Sequence, residues 1–199
     1  MTIPNQLTVT RIILTPIFAF LFLSNDKTLN QISLVVFLIA ALTDWYDGWL
    51  ARKYNYISEL GKFLDPLADK ILTSTAFFAF VYIGLLNFWM VLIIVIRDLV
   101  VTLLRVYGQY KKRTFSTSFL AKLKTSLQMI FLYYLLIVYI GIEKELFRFI
   151  DKSWNTILLN SDFIYYTMIA ITSITVYTGI EYLYTNRYTL KEIFSWQKN

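Results

Sequence analysis

Six long apolar blocks, separated by short polar connections, make up most of the chain. They cover residues 7–23, 32–50, 63–86, 88–107, 120–142 and 163–184. Each is close to the length of about 20 residues that a helix needs to cross the hydrocarbon core of a bilayer. Blocks four and five are apolar on every side, unlike the one-sided pattern of a surface helix in a soluble protein. The pattern predicts an all-α, polytopic membrane protein with six transmembrane helices.

The composition agrees with this prediction. Hydrophobic residues make up 57% of the chain and charged residues 16%, against about 25% charged in a typical soluble domain. Mean hydropathy is +0.56. No small-residue cleavage site separates "MTIPNQLTVTR" from the first block, so we expect that block to be retained as a helix. We expect one domain over residues 1–199, and a water-soluble fold is the disfavoured alternative.

Lysine and arginine predict the orientation, because they accumulate in cytoplasmic segments. With the N-terminus inside, twelve of the 19 basic residues fall in inner segments and three lie within blocks. The outer segments contain only Lys27, Lys144, Arg148 and Lys152. We therefore expect both termini on the cytoplasmic side of a bacterial cytoplasmic membrane. The net charge of +6 suits an anionic inner leaflet and needs no nucleic-acid partner.

The chain contains no cysteine and no histidine. These absences exclude disulfides, thiolate metal sites and a histidine general base. Any chemistry must use carboxylates, lysine, tyrosine, hydroxyl groups or a bound metal.

Four aspartates lie close together in residues 44–69, "DWYDGWLARKYNYISELGKFLDPLAD". Asp44 and Asp47 share a face of the second helix, and Asp65 and Asp69, four residues apart, share a face of the third. A short connection should make the two helices antiparallel neighbours, so that the carboxylates converge. Clustered carboxylates need neutralising cations, and oxygen ligands favour Mg²⁺, Mn²⁺ or Ca²⁺. Two such ions are a common device for phosphoryl transfer, so a metal-dependent phosphoryl site is predicted.

Simpler explanations exist for single residues of this stretch. Asp65 before Pro66 is also typical of a helix cap. Gly48 and Ala51 also suit close helix packing, and Arg52 also suits the positive-inside pattern. Ionisable residues in or beside membrane spans are functional by default, which favours a site for the aspartates.

At fixed spacing, the stretch reads D-x2-D-G-x2-A-R-x8-G-x3-D-x3-D. This pattern resembles the signature of the CDP-alcohol phosphotransferase family at all eight positions. The resemblance implies a six-helix membrane enzyme that transfers a phosphatidyl group from CDP-diacylglycerol to an alcohol and releases CMP. It also implies a cytoplasmic active site, membrane lipid as partner and, by analogy, a homodimer.

The resemblance also implies roles for single residues. Asp44, Asp47 and Asp65 would bind two Mg²⁺ or Mn²⁺ ions, and Asp69 would be the catalytic base and a further candidate metal ligand. The cytidine diphosphate would be bound by the motif's second aspartate and its neighbours: Asp47, Gly48, Ala51, Arg52 and Gly61.

The acceptor alcohol is indicated by other segments. "IPNQLTVTRI" at 3–12, "IRDLVVTLLR" at 96–105 and "AKLKTSLQM" at 121–129 resemble family members that use glycerol 3-phosphate. A phosphorylated acceptor needs a cationic pocket, for which the candidates are Arg105, Arg113, Lys122 and Lys124. Another acceptor (phosphatidylglycerol, serine or inositol phosphate) remains an alternative, as does an ion-coupled transporter.

Two features have no place in this scheme. Arg97 and Asp98 lie in the middle of block four, about 100° apart on a helix, so each needs a partner on another helix. We interpret them as a structural ion pair, because Arg97 lies deep for a water-soluble substrate. Beyond Met129 the likeness is weak, chiefly "YTGIEYL" at 177–183, and residues 143–162 have no assigned role beyond an interfacial connection.

Overall fold

The computed structural model describes residues 3–54, 59–111, 113, 115–143, 146 and 154–195. These residues form helices and short connections, with no strand among them. The helices are α1 (Ile3–Phe22), α2 (Lys27–Tyr54), α3 (Glu59–Tyr82), α4 (Phe88–Tyr110), α5 (Phe119–Val138), α6 (Trp154–Leu158), α7 (Ser161–Thr185) and α8 (Arg187–Ser195). A π-helical turn, Tyr139–Glu143, continues α5.

The six apolar blocks coincide with α1, α2, α3, α4, α5 and α7, so the all-helical prediction is confirmed. The third block was predicted too long, because α3 ends at Tyr82. Gly84 there has a φ of +80°, and the Leu85 amide donates to the Phe80 carbonyl. A glycine in the left-handed region is a common helix terminator. The remaining apolar residues of that block therefore lie in the turn before α4.

The cap explanation for Asp65 is wrong. Helix α3 begins at Glu59, and Pro66 lies inside it. Asp65 is thus an interior helical residue.

The helices pack around a core rich in aromatic side chains. Helix α1 packs along both α2 and α3, whereas α2 and α3 contact each other over a much smaller surface in the described part. Helix α4 packs on α3 and on α7, and α7 also packs on α5. Phenylalanines from the first three helices fill the centre, among them Phe18, Phe37 and Phe80, all without solvent exposure. Helix α4 therefore lies between α3, which carries three of the eight signature positions, and α7.

The outer surface of the bundle is apolar. Phe20, Ile130 and Ile180 are each more than half exposed, and water-soluble monomers rarely show large contiguous patches of this kind. In the described part, residues 119–142 and 161–185 are long and apolar enough to cross a membrane. Helices α3 and α4 have similar lengths but contain several charged residues. The surface and these helices are consistent with a membrane location.

Candidate active site

The two aspartates of α3 lie one helical turn apart and are partly accessible. The hydroxyl of Thr8, on α1, donates a hydrogen bond to a carboxylate oxygen of Asp65. The Asp69 carboxylate pairs with the ammonium group of its neighbour Lys70 at 3.2 Å. Asp65 is thus held by the N-terminal helix, and Asp69 faces a separate cationic environment.

The other five signature positions lie in the C-terminal half of α2: Asp44, Asp47, Gly48, Ala51 and Arg52. Their side chains lie outside the described residues, so the predicted convergence of four carboxylates stays a prediction. Among the described residues, no group of three or more acidic or other metal-ligating side chains lies together. Of the four signature aspartates, those residues include Asp65 and Asp69.

Gly61, the signature's central glycine, lies in the first turn of α3 and is buried. A buried glycine lets a neighbouring backbone or ligand approach the helix closely. The position is compatible with its predicted place in the nucleotide site.

A cavity of about 370 Å³ opens beside Asp69, between α3, α4 and α5. This volume lies in the usual range for small-molecule sites. Its lining is formed by Pro66, Asp69, Lys70, Arg97, Asp98, Val101, Thr102, Arg105, Val106, Gln109 and Thr125. Asp69 of the signature and the polar residues of α4 therefore share one cavity.

The cavity wall has an excess of positive charge. Lys70, Arg97 and Arg105 line it, against two aspartates. Of these aspartates, Asp69 already pairs with Lys70, and Asp98 pairs with Arg97 at 3.2 Å. Such a wall favours an anionic ligand, and arginine in particular suits phosphate.

Lys124 supplies a further buried cation next to this wall. Its ammonium nitrogen lies 2.5 Å from a carboxylate oxygen of Asp98, and the lysine side chain has no solvent exposure. It is absent from the lining of the cavity. Lys124 thus forms an ion pair with Asp98 and places a positive charge next to the cavity without lining it.

The four predicted acceptor residues have different positions. Arg105 lines the cavity together with Asp69. Lys124 lies behind the cavity, while Lys122 and Arg113 are exposed and do not line it. Lys122 and Lys124 are two positions apart in sequence, which places them on different sides of α5.

The expected partners of Arg97 and Asp98 on other helices are present. Asp98 binds Lys124 of α5, and Arg97 donates a hydrogen bond from Nη2 to the Thr178 hydroxyl of α7 at 3.0 Å. The interpretation as a purely structural pair overlooked that both residues also line the cavity. Sequence reasoning also missed Lys70. The rule that intramembrane charges are functional by default could have identified Arg97.

The connection between α4 and α5 folds back onto α7 near this cavity. The Phe115 ring stacks on Tyr182 with centroids 5.8 Å apart, and it lies against Gly108, where an added Cβ would be 1.9 Å from a ring carbon. The Arg105 guanidinium lies near the Tyr182 hydroxyl. The loop thereby supports the end of the cavity wall that carries Arg105.

Comparison with known proteins assigns this arrangement to a family. Residues 1–177 match the CDP-alcohol phosphatidyltransferase family. The chain belongs to this family. The family prediction from the eight-position signature is thus confirmed, and the matched range contains the signature, all of α4 and α5, and most of α7.

Individual members of the family are similar over most of the chain. A CDP-diacylglycerol–glycerol-3-phosphate 3-phosphatidyltransferase from Bacillus subtilis is 37% identical over 161 residues, covering 75% of this chain and 83% of the relative. A protein of the same name from Wigglesworthia glossinidia brevipalpis is 38% identical over 148 residues, covering 68% and 77%. The corresponding protein from Salmonella typhimurium is 36% identical over 139 residues, covering 67% and 76%.

Proposed function

We propose that the protein transfers the phosphatidyl group of CDP-diacylglycerol to a hydroxyl group of glycerol 3-phosphate, which yields phosphatidylglycerophosphate and CMP for phospholipid biosynthesis. The observation that carries the proposal is the cavity in which Asp69 of the signature meets Arg97, Arg105 and Lys70. Family membership and the names of the similar proteins support the same reaction.

The cationic wall would bind the phosphate of the acceptor. Arg97 and Arg105 are eight residues apart on α4 and line the same cavity, so their guanidinium groups offer several donors to one dianion. A neutral alcohol would lack the phosphate oxygens that these donors can bind, and the partly buried Arg97 would then lose a binding partner. The wall therefore favours a phosphorylated acceptor over serine or another acceptor without a phosphate.

Asp69 would act as the base. The acceptor oxygen attacks the phosphorus that carries the diacylglycerol, the bond from that phosphorus to CMP breaks, and CMP leaves with the bond electrons. The hydroxyl proton passes to a carboxylate oxygen of Asp69.

A divalent metal fits the donor set. Asp65 and Asp69 offer hard carboxylate oxygens on successive turns of α3, as Mg²⁺ and Mn²⁺ prefer. Asp44 and Asp47 would complete the set. Two bound ions would neutralise the pyrophosphate and stabilise the charge that develops on CMP. Thr8 would keep the Asp65 carboxylate in position.

The cytidine diphosphate would lie along the α2 half of the signature. Gly48, Ala51 and Gly61 would let the nucleotide approach the helix backbones. Asp47 would line the nucleotide pocket beside them, and Arg52 would neutralise phosphate charge. The acyl chains of the donor would remain in the bilayer. With the nucleotide there and the acceptor phosphate at the cationic wall, donor and acceptor would meet at Asp65 and Asp69.

We also infer six membrane spans, with both termini and the active site on the cytoplasmic side. The positive-inside pattern and the apolar exterior support this arrangement. A single domain of 199 residues would then hold the complete site.

The test uses purified protein in lipid discs with CDP-diacylglycerol, Mg²⁺ or Mn²⁺, and labelled glycerol 3-phosphate. We expect label in the lipid fraction, an equal amount of CMP, and no reaction with chelator. Asp69→Asn should reduce the rate by about 10²–10⁴, the usual contribution of a general base. Asp162→Asn, at the exposed start of α7, is the matched control and should retain activity.

The same assay with other acceptor alcohols distinguishes the proposed acceptor from the alternatives. CMP release with phosphatidylglycerol, serine or inositol phosphate, but not with glycerol 3-phosphate, would keep the family and contradict the proposed acceptor. Absence of metal-dependent CMP release with every alcohol by folded protein would contradict the proposed reaction.

A further inference from the structure

Helix α7 contacts the cavity wall through the segment "YTGIEYL", residues 177–183, to which the signature assigns no role. Thr178 is 1% exposed and Tyr182 is 4% exposed, so the face of the segment that carries these two residues lies in the interior of the bundle. The Arg97 side chain extends from α4 to this segment. Its Nη2 donates to the Thr178 hydroxyl oxygen at 3.0 Å, across a separation of 81 residues in sequence.

The Thr178 hydroxyl is oriented to accept this hydrogen bond. Its oxygen lies 2.8 Å from the carbonyl of Ile174, one turn earlier, to which it donates its only proton. The lone pairs then remain for Arg97. A valine of similar shape would keep the packing but remove the acceptor.

Gly179 leaves the space on α7 in which the Arg97 side chain lies. A Cβ at this position would lie 3.1 Å from Cγ of Arg97 and 3.6 Å from its Nε, closer than ordinary van der Waals contact for the first. Any larger residue would push the arginine stem away from α7. The absence of a side chain at Gly179 therefore allows the Arg97 side chain to lie close to α7.

The guanidinium of Arg97 is fixed from two sides. Nη1 lies 3.2 Å from a carboxylate oxygen of Asp98, and Nη2 binds Thr178. Two of the five N–H groups of the guanidinium therefore already donate hydrogen bonds to protein acceptors. Its Nε is buried and has no hydrogen-bond partner within the described part of the chain. The side chain is 13% exposed and lines the cavity beside Asp69.

We propose that Thr178 and Gly179 are positioning residues for acceptor recognition: they hold Arg97 in the orientation in which its remaining donors bind the acceptor phosphate. This inference rests on the proposed function and adds α7 to the elements that determine acceptor specificity. The competing explanation is that the Arg97–Thr178 bond only ties α4 to α7. That explanation predicts a loss of stability without a selective loss of acceptor affinity.

The experiment compares Thr178→Val, Thr178→Ser and Gly179→Ala with wild type in lipid discs. KM and kcat are measured for both substrates, and thermal unfolding is measured for each variant. Thr175→Val is the matched control, because Thr175 is equally buried on α7 but its hydroxyl donates to the Ile171 carbonyl of its own helix.

Thr178→Val should raise KM for glycerol 3-phosphate by about tenfold, as expected for one lost hydrogen bond to a charged group. KM for CDP-diacylglycerol should change less than about twofold. Gly179→Ala should resemble Thr178→Val, and Thr178→Ser should restore acceptor affinity because it keeps the hydroxyl. Thr175→Val should leave both KM values near wild type.

Equal changes in the two KM values, or a Thr178→Val variant that matches Thr175→Val, would overturn the proposal. A wild-type protein that turns over with another acceptor but not with glycerol 3-phosphate would refute the proposed function separately. Binding of inorganic phosphate, measured as a shift in thermal unfolding, tests the positioning role without turnover. The shift should be present in wild type and smaller in Thr178→Val, and equal shifts would refute it.

Discussion

Lys124 of α5 and Asp98 of α4 form an ion pair inside the bundle, with the ammonium nitrogen 2.5 Å from a carboxylate oxygen. Lys124 has no side-chain exposure, and Asp98 has 6%. Arg97 shares the same carboxylate at 3.2 Å. One buried acid thus compensates two cations next to the cavity, and its removal would leave both of them without that neutralising charge.

The first prediction concerns this buried charge. Asp98→Asn should lower the free energy of unfolding by about 3–5 kcal/mol, because Lys124 then becomes an uncompensated buried cation. The double variant Asp98→Asn/Lys124→Met should recover much of the loss. Thermal unfolding in detergent is the measurement. Wild-type stability for Asp98→Asn, or a double variant less stable than the single one, would contradict the prediction.

The second prediction concerns the hydrogen bond from Thr8 to Asp65. Groups that orient a metal ligand typically contribute 10–100-fold to metal affinity. Thr8→Val should therefore raise the Mg²⁺ concentration for half-maximal activity by about tenfold. Thr10→Val is the control, because the Thr10 hydroxyl is exposed and bonds to the Gln6 carbonyl of its own helix. An unchanged metal requirement in Thr8→Val would show that the bond does not act on a metal ligand.

The third prediction concerns the connection between α4 and α5. The buried Asn186 side chain accepts a hydrogen bond from the Ser116 amide and donates to the carbonyls of Ser116 and Tyr182. Asn186→Ala should release this loop and accelerate trypsin cleavage after the exposed Arg113 by several-fold. Asn160→Ala removes the cap of α7 at its other end and should cost about 1 kcal/mol of stability. Equal cleavage rates in the two variants would contradict the role of Asn186 in holding this loop.

The fourth prediction concerns the orientation in the membrane. The chain has no cysteine, so single cysteines can be labelled without background. In intact cells, an impermeant maleimide should label Asn25→Cys and Asn160→Cys. It should label Thr117→Cys and Lys191→Cys only after permeabilisation. Labelling of Thr117→Cys in intact cells would contradict the cytoplasmic location of the α4–α5 loop.

Helix positions and the α3 part of the signature followed from local sequence. Uniform apolar blocks form helices wherever they lie, and the four-residue spacing of Asp65 and Asp69 puts them on one face of any helix. Helix ends were less certain, because α3 ends at a turn that depends on the backbone of Gly84. The role of Pro66 was also ambiguous, since Asp-Pro occurs both at helix starts and, as here, within a helix.

The sequence by itself determined the helical class, the family and the residues of the signature, since these depend on composition and fixed spacing. Only the tertiary structure decided which cations share a cavity with Asp69. Arg105 and Arg97 line it, whereas Lys124 lies behind it and Lys122 is exposed. It also brought Thr178 to Arg97 from 81 residues away. The physical reason is that such contacts depend on how whole helices rotate and pack against one another, which no local pattern encodes.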